Sequence, residues 1–255
     1  MYLLQHPPEL ARLVNEIRGL QKEFPKTAEV VHFEPPQQDL KNIHLEGRPW
    51  LQIYTLDLPE NELVSLFTRL QTLLAKYQPF EFIKKLEFER VLGGTASYIK
   101  GNFDPAKSDA AILGANPDSY LFFLQELLKP FLKSWAGLIR PYIEHDRWLL
   151  NICPACGHTP VGGRQERNGG RRFLVCSLCE TEWLFNRVTC PACYNNDHPA
   201  LGYFTVEGAG GWRVSFCNKC SSYIKEIISD NPVSALDFEL AIQLDLLAER
   251  EGFRR

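Results

Sequence analysis

The eight cysteines of the chain fall into four C-x-x-C pairs, Cys153/Cys156, Cys176/Cys179, Cys190/Cys193 and Cys217/Cys220, with none left over. Two residues between thiols let a tight turn aim both sulfurs at one ion while the turn amides spread the sulfur charge. Two such knuckles complete a tetrahedral shell, so the set points to two four-thiolate metal centres. The gaps indicate which knuckles join. Nineteen residues lie between Cys156 and Cys176 and twenty-three between Cys193 and Cys217, and either gap fits a hairpin returning to its own start. An internal repeat divides the chain in the same way. Cys153-Pro-Ala-Cys156 recurs at Cys190-Pro-Ala-Cys193, and Arg172-Phe-Leu-Val before Cys176 resembles Arg213-Val-Ser-Phe before Cys217. Two tandem ribbons are expected, not a nest in which Cys176/Cys179 joins Cys190/Cys193.

Four sulfurs close a tetrahedral shell and leave no position for a substrate, so hydrolytic metal catalysis is not expected. Sulfur ligation of this kind suits zinc and also single-iron, rubredoxin-type centres; iron would add one-electron redox chemistry and zinc none. His158 and His198 follow their knuckles closely, but with each shell filled by sulfur they are read as neighbours of the centres or surface residues. Glu182 and Trp183 are read as a strand residue and a core aromatic.

With 255 residues, 45% of them hydrophobic and 23% charged, the chain can bury one large core or two modest ones and is expected to be folded. The start, residues 1–8, lacks the basic and apolar regions of a secretory signal, and Glu126, Lys129, Pro130 and Lys133 interrupt the most apolar stretch, residues 120–139. A cytoplasmic protein without membrane insertion is therefore expected, and the reducing cytoplasm favours metal binding over structural disulfides. The formal charge of −3 becomes more negative by about two for each tetrathiolate centre, against the basic excess that nucleic-acid binders usually carry. Arg164, Arg167, Arg171, Arg172 and Arg187 gather near the cysteines, and are read as offsetting the negative centres.

The elements that must hold these residues divide into a helical domain, 1–148, and a cysteine-bearing domain, 149–255. Leu10, Leu13, Val14 and Ile17 recur at helical spacing, ended at Phe24-Pro25; Leu63, Leu66, Phe67, Leu70, Leu73, Leu74 and Tyr77 form a clearer stripe after Pro59, ended at Gln78-Pro79. Residues 35–49 read as connection, 80–92 as a helix ended by Gly93-Gly94, and 98–116 as loop. Asn116-Pro117-Asp118 caps a long helix that should bend or break at Pro130 and Pro141. Phe173-Leu-Val175 and Trp183-Leu-Phe185 are strand-like. A closing helix starts near Asn231-Pro232 or Ser234, is lined by Leu236, Leu240, Leu244 and Leu247, and ends at Gly252. The class is α+β.

Cys153-Pro-Ala-Cys-Gly157, Phe173-Leu-Val-Cys-Ser-Leu-Cys-Glu-Thr-Glu-Trp183, Val188-Thr-Cys-Pro-Ala-Cys193, Cys217-Asn-Lys-Cys-Ser-Ser-Tyr-Ile-Lys225 and Leu244-Asp-Leu-Leu-Ala-Glu-Arg-Glu-Gly-Phe-Arg254 follow one another in an order that resembles the formate dehydrogenase accessory proteins, the FdhE family. The resemblance implies a helical amino-terminal part and a rubredoxin-like carboxy-terminal part in which all eight cysteines bind two metal ions, iron before zinc. It implies a maturation factor without catalytic residues, whose partner is the catalytic subunit of formate dehydrogenase. Thr181-Glu-Trp183 would be a family motif of unassigned role. Two departures stand out: Cys193 is followed by Tyr194 where the family commonly has glycine, and the acidic pair opening its last helix is reduced to Asp237. Two other functions compete on residue grounds: a tandem zinc-ribbon module binding nucleic acid through the nearby arginines, and a thiol oxidoreductase using one C-x-x-C.

Overall fold

A computed structural model of the chain describes residues 8–24, 35–36, 46–54, 56–78, 80–206 and 209–255. Most of the expected connection 35–49 lies outside the described residues, as do residues 1–7, Pro25 and Pro79. Helices come first: α1 (Pro8–Gln21), α2 (Glu60–Leu74), α3 (Phe88–Ile99), α4 (Asp104–Leu113) and α5 (Pro117–Ile139). Six strands follow, β1 (Pro160–Gln165), β2 (Arg172–Cys176), β3 (Glu182–Phe185), β4 (Leu201–Thr205), β5 (Trp212–Cys217) and β6 (Ser222–Ile228), and then α6 (Ala235–Leu240) and α7 (Ile242–Arg250). This is the α+β order that the sequence predicts. Among the described residues no helix is long and apolar enough to cross a membrane.

The helical stripes are core faces. Leu13, Val14 and Ile17 of α1 and Leu63, Leu66, Phe67, Leu70, Leu73 and Leu74 of α2 are buried, the periodicity of one helix side turned inward. Asn116 caps α5 as expected, its side chain accepting from the backbone of Asp118 and Ser119. Three expectations in this half need correction. Gly93 and Gly94 do not end a helix but lie inside α3, which buried Val91, Thr95 and Tyr98 hold in place. Residues 104–113 form α4 where loop is expected, because Pro105 occupies the first turn, where no backbone donor is needed, and left-handed Gly114 closes the other end.

The third correction is Pro130, which α5 runs through for a total of 23 residues. Proline removes the donor that would bond the carbonyl four residues back, that of Glu126. Gln21 of α1 supplies a substitute, its Nε2 donating to the Glu126 carbonyl and to Glu126 Oε2, both at 2.8 Å. Changing Gln21 to Ala should therefore cost about 1–3 kcal/mol, as for a buried acceptor left unsatisfied. Urea unfolding would show less than half that loss in a Pro130→Ala background, where the helix regains its own donor; equal losses in both would dismiss this account. The break expected at Pro141 is present, as a 3-10 turn from Arg140 to Tyr142.

The strands form one sheet in the order β3-β2-β1-β6-β5-β4. Each ribbon is an antiparallel meander, β1-β2-β3 and β4-β5-β6, and the parallel pairing of β1 with β6 welds the two together, with Gly163 opposite Glu226. One apolar cluster runs from the helices into the first ribbon, through Trp50, Trp135 and Trp148 to Cys153, Cys176 and Trp183; a second lies between the sheet and the last helices, around Trp212, Phe238 and Leu244. The closing helix is split, contrary to expectation. Ser234 starts it with a capping box to Asp237, but Ala241 departs from helical backbone and divides α6 from α7. Lys225, fully buried on β6, is the reason: its ammonium donates to the carbonyls of Phe238 and Ala241 and to Asp245 Oδ2, drawing off acceptors that a continuous helix would use.

Candidate metal centres

Each C-x-x-C sits in a turn that places two sulfurs side by side, and the turns share a backbone device. The residue after each second cysteine has positive φ: Gly157 (82°), Glu180 (56°), Tyr194 (58°) and Ser221 (55°). The last three are the only non-glycine residues with positive φ among the described residues, so this unfavourable conformation is concentrated at the knuckles. It reverses the chain so that the hydroxyls of Thr181 and Ser222, each one residue further on, face the sulfur, while amides inside the turns also point at it. Leu178 N–H and Ala192 N–H donate to Cys176 Sγ and Cys190 Sγ at 3.4 Å, and the Thr181 and Ser222 hydroxyls lie 3.1 Å and 2.9 Å from Cys179 Sγ and Cys220 Sγ. Tyr194 is anchored by its hydroxyl, which donates to Asn151 Oδ1 and accepts from Asn151 N–H.

The sulfurs gather in two groups, Cys153, Cys156, Cys176 and Cys179 in one and Cys190, Cys193, Cys217 and Cys220 in the other, all ligand atoms of a group within 4.8 Å of one another. These are the tandem sets that the spacing predicts. Sulfur to sulfur separations are 3.5 Å (Cys153–Cys179) and 3.3 Å (Cys156–Cys176) in the first and 3.7 Å (Cys190–Cys220) and 3.9 Å (Cys193–Cys217) in the second. A tetrahedron with metal–sulfur bonds of about 2.3 Å has edges of about 3.8 Å, so the donors fit zinc or iron in size and type. Eight free cysteines in this arrangement could hold two ions. Burial pushes the Cys156 and Cys176 thiols well above their ordinary value; at Cys179 burial acts the same way but hydrogen bonds from Cys153, Cys156 and Cys176 outweigh it and bring it well below. Four sulfurs buried together with no cation of the protein among them are suited to a metal ion.

The two groups differ in their surroundings. All four sulfur residues of the first are buried and belong to the core shared with the helices, whereas Cys193 and Cys220 are partly exposed and the second group lies outside both apolar clusters. The 3-10 turn at Trp50–Gln52 clasps the first knuckle, with Trp50 N–H donating to the Pro154 carbonyl at 2.9 Å and Leu51 N–H to that of Ala155 at 3.0 Å. His158 is buried against Tyr98 and Phe103, its Nε2 3.2 Å from the Tyr98 carbonyl, while His198 is exposed at the start of a short 3-10 turn. Trp183 is the core aromatic expected, and its Nε1 donates to the Leu150 carbonyl. The Thr181-Glu-Trp183 motif thus receives three tasks: Thr181 faces sulfur, Trp183 fills the core, and Glu182 takes a bidentate contact from Arg164 at 3.0–3.2 Å. The sequence gives no sign of the clasp at Trp50, nor of Asn195, buried with its Nδ2 3.8 Å from Cys217 Sγ.

The arginines near the cysteines are held mainly by carboxylates. Arg164 pairs with Glu182, Arg167 with Asp230, Arg171 with Glu166 and Arg172 with Glu226. Arg187 has no such partner among the described residues.

A helical half followed by two four-cysteine ribbons merged in one sheet defines a tandem-ribbon metal-binding protein. Residues 152–187 match the family model described as FdhE, central domain. An FdhE homologue of Aquifex aeolicus is 32% identical over 179 residues, which are 68% of this chain and 58% of that protein; one of Pectobacterium carotovorum is 27% identical over 244 residues, 89% of this chain and 74% of its own. The crystal structure of the FdhE protein from Pseudomonas aeruginosa shares the fold, with a TM-score of 0.64 at 23% identity over 98% of this chain and 87% of the other. The chain belongs to the FdhE family.

Proposed function

We propose that this protein is an accessory factor for formate dehydrogenase that binds the catalytic subunit during its assembly and is not itself an enzyme. Family membership carries the reading, and the chemistry of the site agrees with it: each group offers four sulfurs to one ion, which leaves no coordination position for a substrate. In this reading all eight cysteines are ligands, the ions are iron by family resemblance with zinc as the alternative, and the protein works in the cytoplasm. The proposed domains, 1–148 and 149–255, then have separate tasks, the ribbons presenting a surface stiffened by metal and the helices adding area to it.

Deleting the gene should abolish or strongly reduce formate dehydrogenase activity in the cell, and the wild-type gene should restore it. Normal activity in the deletion strain would end the proposal. A nucleic-acid role is less well supported, because Arg164, Arg167, Arg171 and Arg172 already pair with carboxylates and offer little free charge to phosphates. Nor do the thiols favour an oxidoreductase, since sulfurs committed to a metal are protected from exchange.

A further inference from the structure

A cavity of about 410 Å³ opens beside the second group of sulfurs, where residues 187–192 pass between the ribbons. Cys190 and Cys217 line it, and so do Arg172, Arg187, Arg213 and the largely exposed Tyr203. Three guanidinium groups share this concavity, and no carboxylate is among the residues that line it. Glu226 is the one carboxylate between Arg172 and Arg213, with Arg172 Nε 2.6 Å from its Oε1 and Arg213 Nη2 2.6 Å from its Oε2. One carboxylate thus serves two guanidiniums whose side chains are only 4% and 14% exposed.

Arg187, exposed and without a carboxylate partner among the described residues, adds a further positive charge at the rim. Its Nη1 lies over Gly170, where a Cβ would come within 2.6 Å of it, and the backbone there has a φ of 65° that suits glycine. The neighbouring centre does not demand these cations: the first centre has the same four sulfurs and sits in an apolar core with Trp50, Leu178 and Trp183. Arg187 and one nitrogen of Arg213 therefore keep donors that the described residues do not use.

We propose that this cavity is a binding site for a small molecule bearing an oxyanion, a phosphate or a carboxylate, gripped by Arg187 and Arg213 with Tyr203 at its side. Arginine presents a planar fork of donors that matches either group. Arg213 uses Nε and Nη2 on Glu226 and Gln165, while its Nη1 makes no hydrogen bond to the described residues. The site is independent of the client reading, since it rests on charge and shape in this chain alone.

The test is calorimetric titration of the full-length, metal-loaded chain with inorganic phosphate and, separately, succinate, at an ionic strength held constant with chloride. Saturable binding of at least one of them is expected, weakened about tenfold or more by Arg187→Gln and less by Arg187→Lys. Arg187 is exposed, so both variants should fold; matching circular dichroism spectra would verify it. Binding of phosphate alone assigns a phosphoryl ligand, and of succinate alone a carboxylate. Absence of saturable binding by either anion, or binding that Arg187→Gln leaves unchanged, overturns the proposal.

Discussion

Replacing Cys176 with serine is expected to unfold the helices as well as the ribbons, whereas replacing Cys220 is expected to leave the helices intact. A structural four-sulfur metal site contributes on the order of 10 kcal/mol to folding, comparable with the whole stability of about 5–15 kcal/mol of an ordinary domain. What differs between the two centres is the structure each supports. Cys153, Cys156, Cys176 and Cys179 are members of the apolar cluster that includes Trp50, Leu66, Leu127 and Trp135, and the backbone of Trp50 and Leu51 is bonded to the first knuckle. Loss of the first ion would release the knuckle, and the helices would lose the wall they pack on. Cys190, Cys193, Cys217 and Cys220 belong to neither cluster, and Cys193 and Cys220 are partly open to solvent.

The contrast can be measured by far-ultraviolet circular dichroism during urea unfolding, together with metal content per chain. Cys176→Ser should lose most helical signal in buffer, while Cys220→Ser should keep it and lose one ion. A chelator applied to the unaltered protein should likewise remove the ion at the second centre first. If the two variants lose equal helical signal, or Cys176→Ser unfolds at the wild-type urea concentration with both ions bound, the unequal roles are refuted.

Changing Glu226 to Ala should have the second largest effect, about 3–5 kcal/mol of stability, as for one partner removed from a buried ion pair. Glu226 is 2% exposed in its side chain and joins Arg172 of the first ribbon to Arg213 of the second, with the Ser215 hydroxyl donating to the same carboxylate at 2.6 Å. Gly163 gives it room, since a Cβ there would lie 3.2 Å from Glu226 Oε1. Without the carboxylate, two buried guanidiniums face each other at the weld between ribbons. Burial pushes the Glu226 carboxyl up, but the attraction of Arg172 and Arg213 outweighs it and holds the group below its ordinary value. The stabilisation is therefore complete above the unfolded carboxyl value of about 4.3 and is lost as pH falls through the lower folded value. Denaturant titrations at pH 7 and at pH 3 should show the variant's deficit at the first and a smaller one at the second. A deficit below about 1 kcal/mol at pH 7 would mean that the pair is no more than a surface contact.

The legible and the illegible parts of this protein separate by the range of the forces involved. The grouping of the sulfurs was readable because a C-x-x-C turn and a hairpin of about twenty residues are local in sequence, and the repeated Cys-Pro-Ala-Cys fixes the period. The faces of α1 and α2 and the cap at Asn116 were readable for the same reason, each being decided within a few residues. The uninterrupted α5 was not, because the group that compensates Pro130 is Gln21, more than a hundred residues away. The split between α6 and α7 was likewise hidden, since the charge that causes it sits on β6.

By itself the amino-acid sequence determined that eight sulfurs form two groups of four and that helices precede the ribbons. Only the tertiary structure decided that the ribbons join through parallel β1 and β6, that one centre is buried against the helices while the other lies near solvent, and that two arginines, one from each ribbon, meet over a single carboxylate. The physical reason is that turn geometry and helical periodicity act between near neighbours along the chain, whereas burial and charge balance depend on which distant segments come to share the same space.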